Sequence, residues 1–372
     1  MSLSVGIVGL PNVGKSTLFN ALTKKQQAAA ENYPFCTIEP NSAVVEVADP
    51  RLEKLAEIAK TERIIRATVD FTDIAGLVKG ASKGEGLGNK FLANIRECDA
   101  ILHVVRCFEN DDIIHVQEGG NKSAPIDPVG DAEVIETELV LADMEQLQRR
   151  YDRVSKEAKA KPQMRPEAEA CAALLKHLEE GRPVRSFPRK EGDPILQVVK
   201  ELHFLTDKPV IFCANVSDED VTGADNRHVA ALRGYAQSQG AELVVICAQM
   251  EADLAGLSDE EAKEFLQSYG VEESSLDRTI VLAYHTLGLA SYLTAGEIEV
   301  HAWTFRRGWK APQCAGVIHT DFEKGFIRAQ VVSYDDYVKY GGEKGAREAG
   351  VLRPEGKEYE MQDGDVVEFL FN

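Results

Sequence analysis

An α/β fold built on a mostly parallel sheet is predicted, with a helical insert inside it and a small mixed β domain after it. Three observations carry this expectation. Strand-length apolar runs at 4–8, 44–47, 68–72, 100–105, 209–214 and 242–246 recur with helical patterns between several of them, as strands joined by helical crossovers do. The series breaks between Val105 and Pro209, a gap far longer than a βα crossover needs. After about Asp277 the texture changes to short alternating stretches at 299–303 and 326–331, closing on a turn and strand at 363–371.

The gap has its own periodicity. Val140, Met144, Leu147, Tyr151, Val154 and Ala158 repeat with 4-3-4-3-4 spacing, the seam of a coiled coil. Pro162 and Pro166 break the helix, Ala168, Cys171, Leu175 and Leu178 restart it, and Gly181 suits a C-cap. An antiparallel helical hairpin is expected. The segmentation is then a sheet domain split over 1–130 and 205–280, a helical domain over 131–204, and a C-terminal domain over 285–372.

Composition limits the function classes. The 372 residues carry a net charge of −19, which argues against a broad basic surface for duplex nucleic acid. The seven cysteines show no C-x-x-C pairing and read as reduced, buried thiols. No run approaches the roughly 18 apolar residues of a membrane span. A soluble, cytoplasmic, monomeric protein with no membrane attachment is expected.

The chemistry begins at Gly9-Leu10-Pro11-Asn12-Val13-Gly14-Lys15-Ser16. This is G-x-x-x-x-G-K-S between a strand and a helix, the phosphate cradle of P-loop nucleotide-binding proteins. Residues Asn12, Val13, Gly14, Lys15, Ser16 and Thr17 are expected around the phosphates. Lys15 supplies charge to the β/γ oxygens, and the Ser16 hydroxyl can ligate Mg²⁺. Asp73-Ile74-Ala75-Gly76 follows the strand at 68–72. That D-x-x-G lets Asp73 reach Mg²⁺ through water and the Gly76 N–H meet the γ-phosphate, which distinguishes a switch-type NTPase from a small-molecule kinase. Thr37 is the natural second hydroxyl for Mg²⁺, and the glycines at 80, 84, 86 and 88 suit a second switch segment.

Base recognition is expected where later strands end. Asn215-Val216-Ser217-Asp218 occupies the place of the guanine-reading motif N-K-x-D, with valine in place of its lysine. Asp218 matches the donor pair of guanine, and adenine offers it none, so these residues alone leave the base open. Cys247-Ala248-Gln249 would form the second base-contacting loop.

In these stretches, and in 33–41, 73–81 and 319–329, the chain resembles the YchF branch of the Obg-like NTPases over its whole length. The resemblance implies a Ras-like P-loop G domain, an inserted coiled-coil hairpin and a C-terminal β-grasp domain of the TGS type. It implies preference for ATP over GTP, with the base held largely by backbone around Val216. The family motif usually reads N-x-x-E, and Asp218 departs from it. Association with the ribosome through the TGS and helical domains, gated by ATP, is implied as well. Ras-like enzymes orient the attacking water with a glutamine directly after D-x-x-G; here that position is Leu77. Two residues are candidates for the missing assistance. Asn12 resembles the K⁺-holding asparagine of cation-dependent members, and His115 matches a candidate catalytic histidine. The basic stretch Arg149, Arg150, Arg153, Lys156, Lys159, Lys161 and Arg165 suits contact with RNA or an acidic partner, or a solvated helix face. Two readings of function follow: an ATPase switch acting through the ribosome, and a scaffold that holds ATP with negligible turnover.

Overall fold

A computed structural model describes residues 3–30, 41–74, 87–110 and 125–372. The chain forms two compact units, one from 1–43 with 70–278 and one from 44–69 with 279–372.

The first unit carries a six-stranded sheet. Its strands are β1 (Ser4–Val8), β2 (Ser42–Glu46), β4 (Thr68–Asp73), β5 (Ala100–Arg106), β6 (Val210–Asn215) and β7 (Glu242–Ile246). They lie in the order β2-β4-β1-β5-β6-β7. The chain leaves this unit within β2 and returns within β4. β1 lies parallel between β4 and β5, and β5, β6 and β7 continue in parallel. Strands covered on both faces read as continuous apolar runs; β5 is accordingly buried along its whole length. Helices α1 (Lys15–Ala30), α3 (Leu87–Glu97), α7 (Arg227–Ser238), α8 (Ala248–Leu254) and α9 (Asp259–Ser268) complete most of this unit. Val8, Ile74, Ile95 and Ile101 share one core with α3, and Phe212, Ala214, Leu232 and Met250 share another with α7 and α8.

The break between β5 and β6 holds the helical insert. Helix α4 (Pro128–Ala160) runs 33 residues, about 50 Å at 1.5 Å per residue. Pro128 stands at its start, and Asp127 caps it by accepting from Gly130 N at 3.0 Å. After a single turn at Pro162–Met164, α5 (Arg165–Glu179) folds back. Arg150 Nε donates to Glu167 Oε1 at 2.8 Å, tying the first turn of α5 back to α4. Val140, Leu147, Cys171, Leu174, Leu175 and Leu178 form their joint core, extended by Val198 and Val199 of α6 (Pro194–Leu202). The chain returns to the sheet under a buried carboxylate. Asp143 accepts from Leu205 N at 2.9 Å and from Thr206 N and Oγ1 at 2.7 Å each.

The second unit also has six strands. β8 (Leu289–Ala295) and β9 (Val300–Arg306) form an antiparallel hairpin. β12 (Asp365–Phe371) lies parallel to β8 and antiparallel to β10 (Phe326–Ser333), which pairs with the short β11 (Arg353–Glu355). With the two-residue β3 (Ile64–Ile65) beside β9, the order is β11-β10-β12-β8-β9-β3. Helix α11 (Ala311–Ile318) packs Ala311, Cys314 and Ala315 against Tyr292, Phe305 and Phe369, the mixed sheet gripping a helix that a β-grasp arrangement requires.

The two units differ from the expected segmentation, which set 131–204 apart as a domain of its own and kept 44–69 with the first domain. Helix α2 (Arg51–Ala59) buries Leu52, Leu55 and Ala56, and β3 pairs parallel with β9. Val300 N donates to Arg63 O at 2.9 Å, and Thr61 Oγ1 to Ile298 O at 3.1 Å. Helix α10 (Ser275–Thr286) spans the boundary at 278 and 279. Among the described residues no helix is long and apolar enough to cross a membrane, and the six described cysteines are free and buried.

Burial outweighs the hydrogen bonds at Asp143 and pushes its carboxyl up to about 6. Folding thus favours its protonated form, a contribution that is whole below the ordinary carboxylate range near ~4 and lost as pH rises through about 6. Asp143→Ala leaves three buried donors without that acceptor and is expected to cost about 3 kcal/mol in urea unfolding. The gap between parent and variant should narrow between about pH 4 and 7; a gap that widens with pH would contradict this account.

Candidate functional site

The site lies where the parallel strands end. Ile7 is paired with Asp73, Val8 with His103, Arg106 with Asn215, and Asn215 with Ile246. The loops that leave these ends meet beside β1, where the crossovers pass to opposite sides, the place where open α/β sheets bind ligands.

The turn from Val8 to Lys15 is shaped by close approach. At Gly9 a Cβ would stand 2.7 Å from Val104 O. Gly14 has φ +94°, and a Cβ there would collide with the Asn215 side chain, so glycine alone serves. Asn12 also takes a positive φ of 65°, a region asparagine enters more readily than most residues. Val13 tucks into the core, Lys15 is buried, and Ser16 is exposed in the first turn of α1. The turn therefore delivers the start of a helix, with its unpaired N–H groups and positive dipole end, beside the strand ends.

Lys15 forms an ion pair with Asp73. The lysine ammonium and the half-buried Asp73 carboxylate thus meet beside the loop, and Ser16 follows Lys15 in the first turn of α1. A hydroxyl and a carboxylate are hard oxygen donors, suited to Mg²⁺ that keeps waters and phosphate oxygens as its other ligands. Among the described residues no cluster of three or more His, Cys, Asp or Glu side chains gathers for a metal.

On the other side of the loop a cavity of about 570 Å³ opens, a volume typical of small-molecule sites. Asn12, Gly14, Thr17, Asn215, Val216, Asp218, Cys247, Ala248 and Gln249 line it. The predicted cradle and both predicted base loops thus share one space. Asn215 joins them: its Nδ2 donates to Val13 O at 2.8 Å and its Oδ1 accepts from Ala248 N at 3.0 Å. One amide laces the phosphate loop to the loop after β7, and the Asn215 carbonyl accepts from Cys107 N at 2.8 Å. The Val216 N–H goes to Ile246 O at 2.8 Å and its side chain packs into the core. Burial pushes the Cys247 thiol up, leaving it a neutral wall group.

Phe108, Glu109 and Asn110, just past β5, and Phe265 and Tyr269 from the region of α9 also line the cavity. Sequence reasoning missed all five. The position of Phe108, two residues past the end of a central strand, was a usable signal. Nothing local marks Phe265 or Tyr269, which reach the cavity only because α9 packs there. Thr37, Gly76, Leu77 and His115, with Cys36 and the glycines at 80, 84 and 86, lie outside the described residues.

Two family models match the chain: MMR_HSR1, "50S ribosome-binding GTPase", over residues 4–161, and YchF-GTPase_C, "Protein of unknown function (DUF933)", over 289–372. The chain is 53% identical over 376 residues to the "Ribosome-binding ATPase YchF" of Bacillus subtilis (strain 168), covering 100% of both proteins. It belongs to the YchF family. The YchF of Escherichia coli O157:H7 is 52% identical over 373 residues, again covering 100% of both. The fold is similar to the structure of the Schizosaccharomyces pombe YchF GTPase, with a TM-score of 0.87, 37% identity, and coverage of 99% of this chain and 98% of that one. A YchF chain with a P-loop NTPase domain is a nucleotide-binding protein of the hydrolase kind, and that fold generally uses Mg²⁺.

Asn215→Asp keeps the shape and the acceptor but removes the donor to Val13 O. It is expected to cost about 2 kcal/mol in unfolding without nucleotide and to weaken nucleotide binding. Unchanged stability and affinity would show that the lacing contributes nothing.

Proposed function

We propose that the chain is a Mg²⁺-dependent ATPase whose nucleotide state regulates association with the ribosome in the cytoplasm, in translation or the stress response. The observation that carries the base preference is Val216: the position that holds lysine in the guanine motif is a buried valine in the core. Asp218, exposed at the cavity edge, is the one feature that suits guanine. Phe108 offers an aromatic ring against which a purine can stack.

In this reading Lys15 neutralises the β/γ-phosphates and the backbone N–H groups of 12–17 cradle them. Ser16, Thr37 and Asp73 hold Mg²⁺, which when bound supplies charge against the phosphate oxygens. Gly76 donates its N–H to the γ-phosphate. Leu77 cannot orient water, so His115 is assigned that role and Asn12 the holding of K⁺ in place of an arginine finger.

The ribosome enters through the names of the relatives, and contact is assigned to the TGS-type C-terminal domain and the helical hairpin. Arg150 is committed to Glu167 and Glu201, while Arg149 and Lys161 pair with Glu145 and Glu157 at the surface of α4; with the exposed Arg153, Lys156, Lys159 and Arg165 they form the basic face assigned to RNA. The competing reading, an ATP-holding scaffold with negligible turnover, is favoured by Leu77.

Calorimetric titration of the purified protein with ATP and GTP in Mg²⁺/K⁺ buffer is expected to show ATP binding at least tenfold tighter. Equal or reversed affinities would overturn the ATP assignment and return Asp218 to a guanine-reading role. Phosphate release should rise when ribosomes are added, and a rate near zero with and without them would favour the scaffold. His115→Ala is expected to lower turnover at least tenfold with affinity nearly unchanged, and replacing KCl by NaCl to slow the parent enzyme. Equal rates in either comparison would remove that residue or ion from the mechanism.

A further inference from the structure

We infer that Arg106 is a positioning residue of the nucleotide site, holding the wall formed by Phe108, Glu109 and Asn110 against the cavity. The inference rests on the reading of that cavity as the ATP site. Arg106 is the last residue of β5 and is 2% exposed, which is unusual for a guanidinium unless a built environment receives it. Its Nε donates to Phe108 O at 3.1 Å and an Nη to Asn110 O at 3.0 Å, while its Cζ lies 4.7 Å from the centre of the Phe108 ring. One planar, forked cation thus fixes two carbonyls and lies over the aromatic ring of the same three-residue turn.

The remaining contacts of the turn point the same way. Cys107 N donates to Asn215 O at 2.8 Å and Asn226 Nδ2 to Cys107 O at 2.9 Å. Glu109 is held from α7 by Arg227 and by His228 Nε2 at 3.2 Å. Those bonds anchor the base and the outer side of the turn, and Arg106 holds it from beneath. Burial pushes the Arg106 guanidinium down from its ordinary value, and the charge of Asp131, buried in the first turn of α4, works against that shift.

A wall residue acts on the base end of the nucleotide and leaves the phosphate loop alone. Arg106→Lys keeps the charge facing Asp131 but cannot fork to both carbonyls. It is expected to weaken ATP binding by about tenfold, or about 1.4 kcal/mol, and to raise KM with kcat within about twofold. Affinity for Mg²⁺-tripolyphosphate, which has no base, should stay within about twofold of the parent. Arg106→Gln should lose more ATP affinity than the lysine variant, and thermal unfolding identifies any variant that fails to fold. Equal ATP affinity in parent and folded lysine variant would overturn the inference. So would parallel losses of ATP and tripolyphosphate affinity, which would mark a lesion spreading to the phosphate loop. A parent protein that binds tripolyphosphate but not ATP would overturn the ATP reading of the cavity itself, and this inference with it.

Discussion

Parallel pairing in one register is the constraint on which the site depends. Because β4, β1, β5, β6 and β7 run in one direction, the loops that leave their ends open on the same edge. Asp73, the phosphate loop, Arg106, Asn215 and the loop after Ile246 are therefore neighbours although they are scattered over some 240 positions of the chain. A parallel sheet requires a crossover after each strand, and the helices that make those crossovers bury both faces. The long insert is tolerated because it replaces one such crossover between adjacent strands, β5 and β6, and both of its ends are held by side chains. Asp127 caps its start, and Asp143 receives its return.

Buried polar groups perform the joining. Asn215 laces the phosphate loop to the loop after β7, Arg106 braces the turn after β5, and Asp143 receives the end of the insert. A buried polar group left unpaired is costly, so each bracket specifies one arrangement of loops that apolar packing would leave loose. In the second unit the part-buried Arg51, held by both carboxylate oxygens of Asp49, reaches Asp363 at 3.4 Å.

Local signals were legible where the chemistry is local. A glycine-rich turn between a strand and a helix can be read from eight consecutive residues, because its φ angles and N–H directions are set within those residues. The hairpin was legible because Val140, Leu147 and Val154 recur at the period of a buried stripe. The grouping of 44–69 was not. α2 and β3 have short, ordinary patterns, and the strand that receives them, β9, is more than 230 residues further on. Tyr269 and Phe265 were equally silent, since an aromatic residue on a helix reads the same whether it faces a core, solvent or a cavity.

The sequence alone determined that a phosphate-loop motif stands at Gly9–Ser16 between a strand and a helix, that the sheet is mostly parallel, that a helical hairpin interrupts it and that a mixed β domain follows. These follow from short-range stereochemistry and from periodicity, which a chain carries in its order of residues. The tertiary structure decided which loops share the cavity, that Asn215 laces them together, that Arg106 is buried beneath Phe108, and that 44–69 belongs with the C-terminal strands. Those outcomes depend on the mutual satisfaction of groups far apart in the chain, and only the packed fold brings such groups within hydrogen-bonding distance.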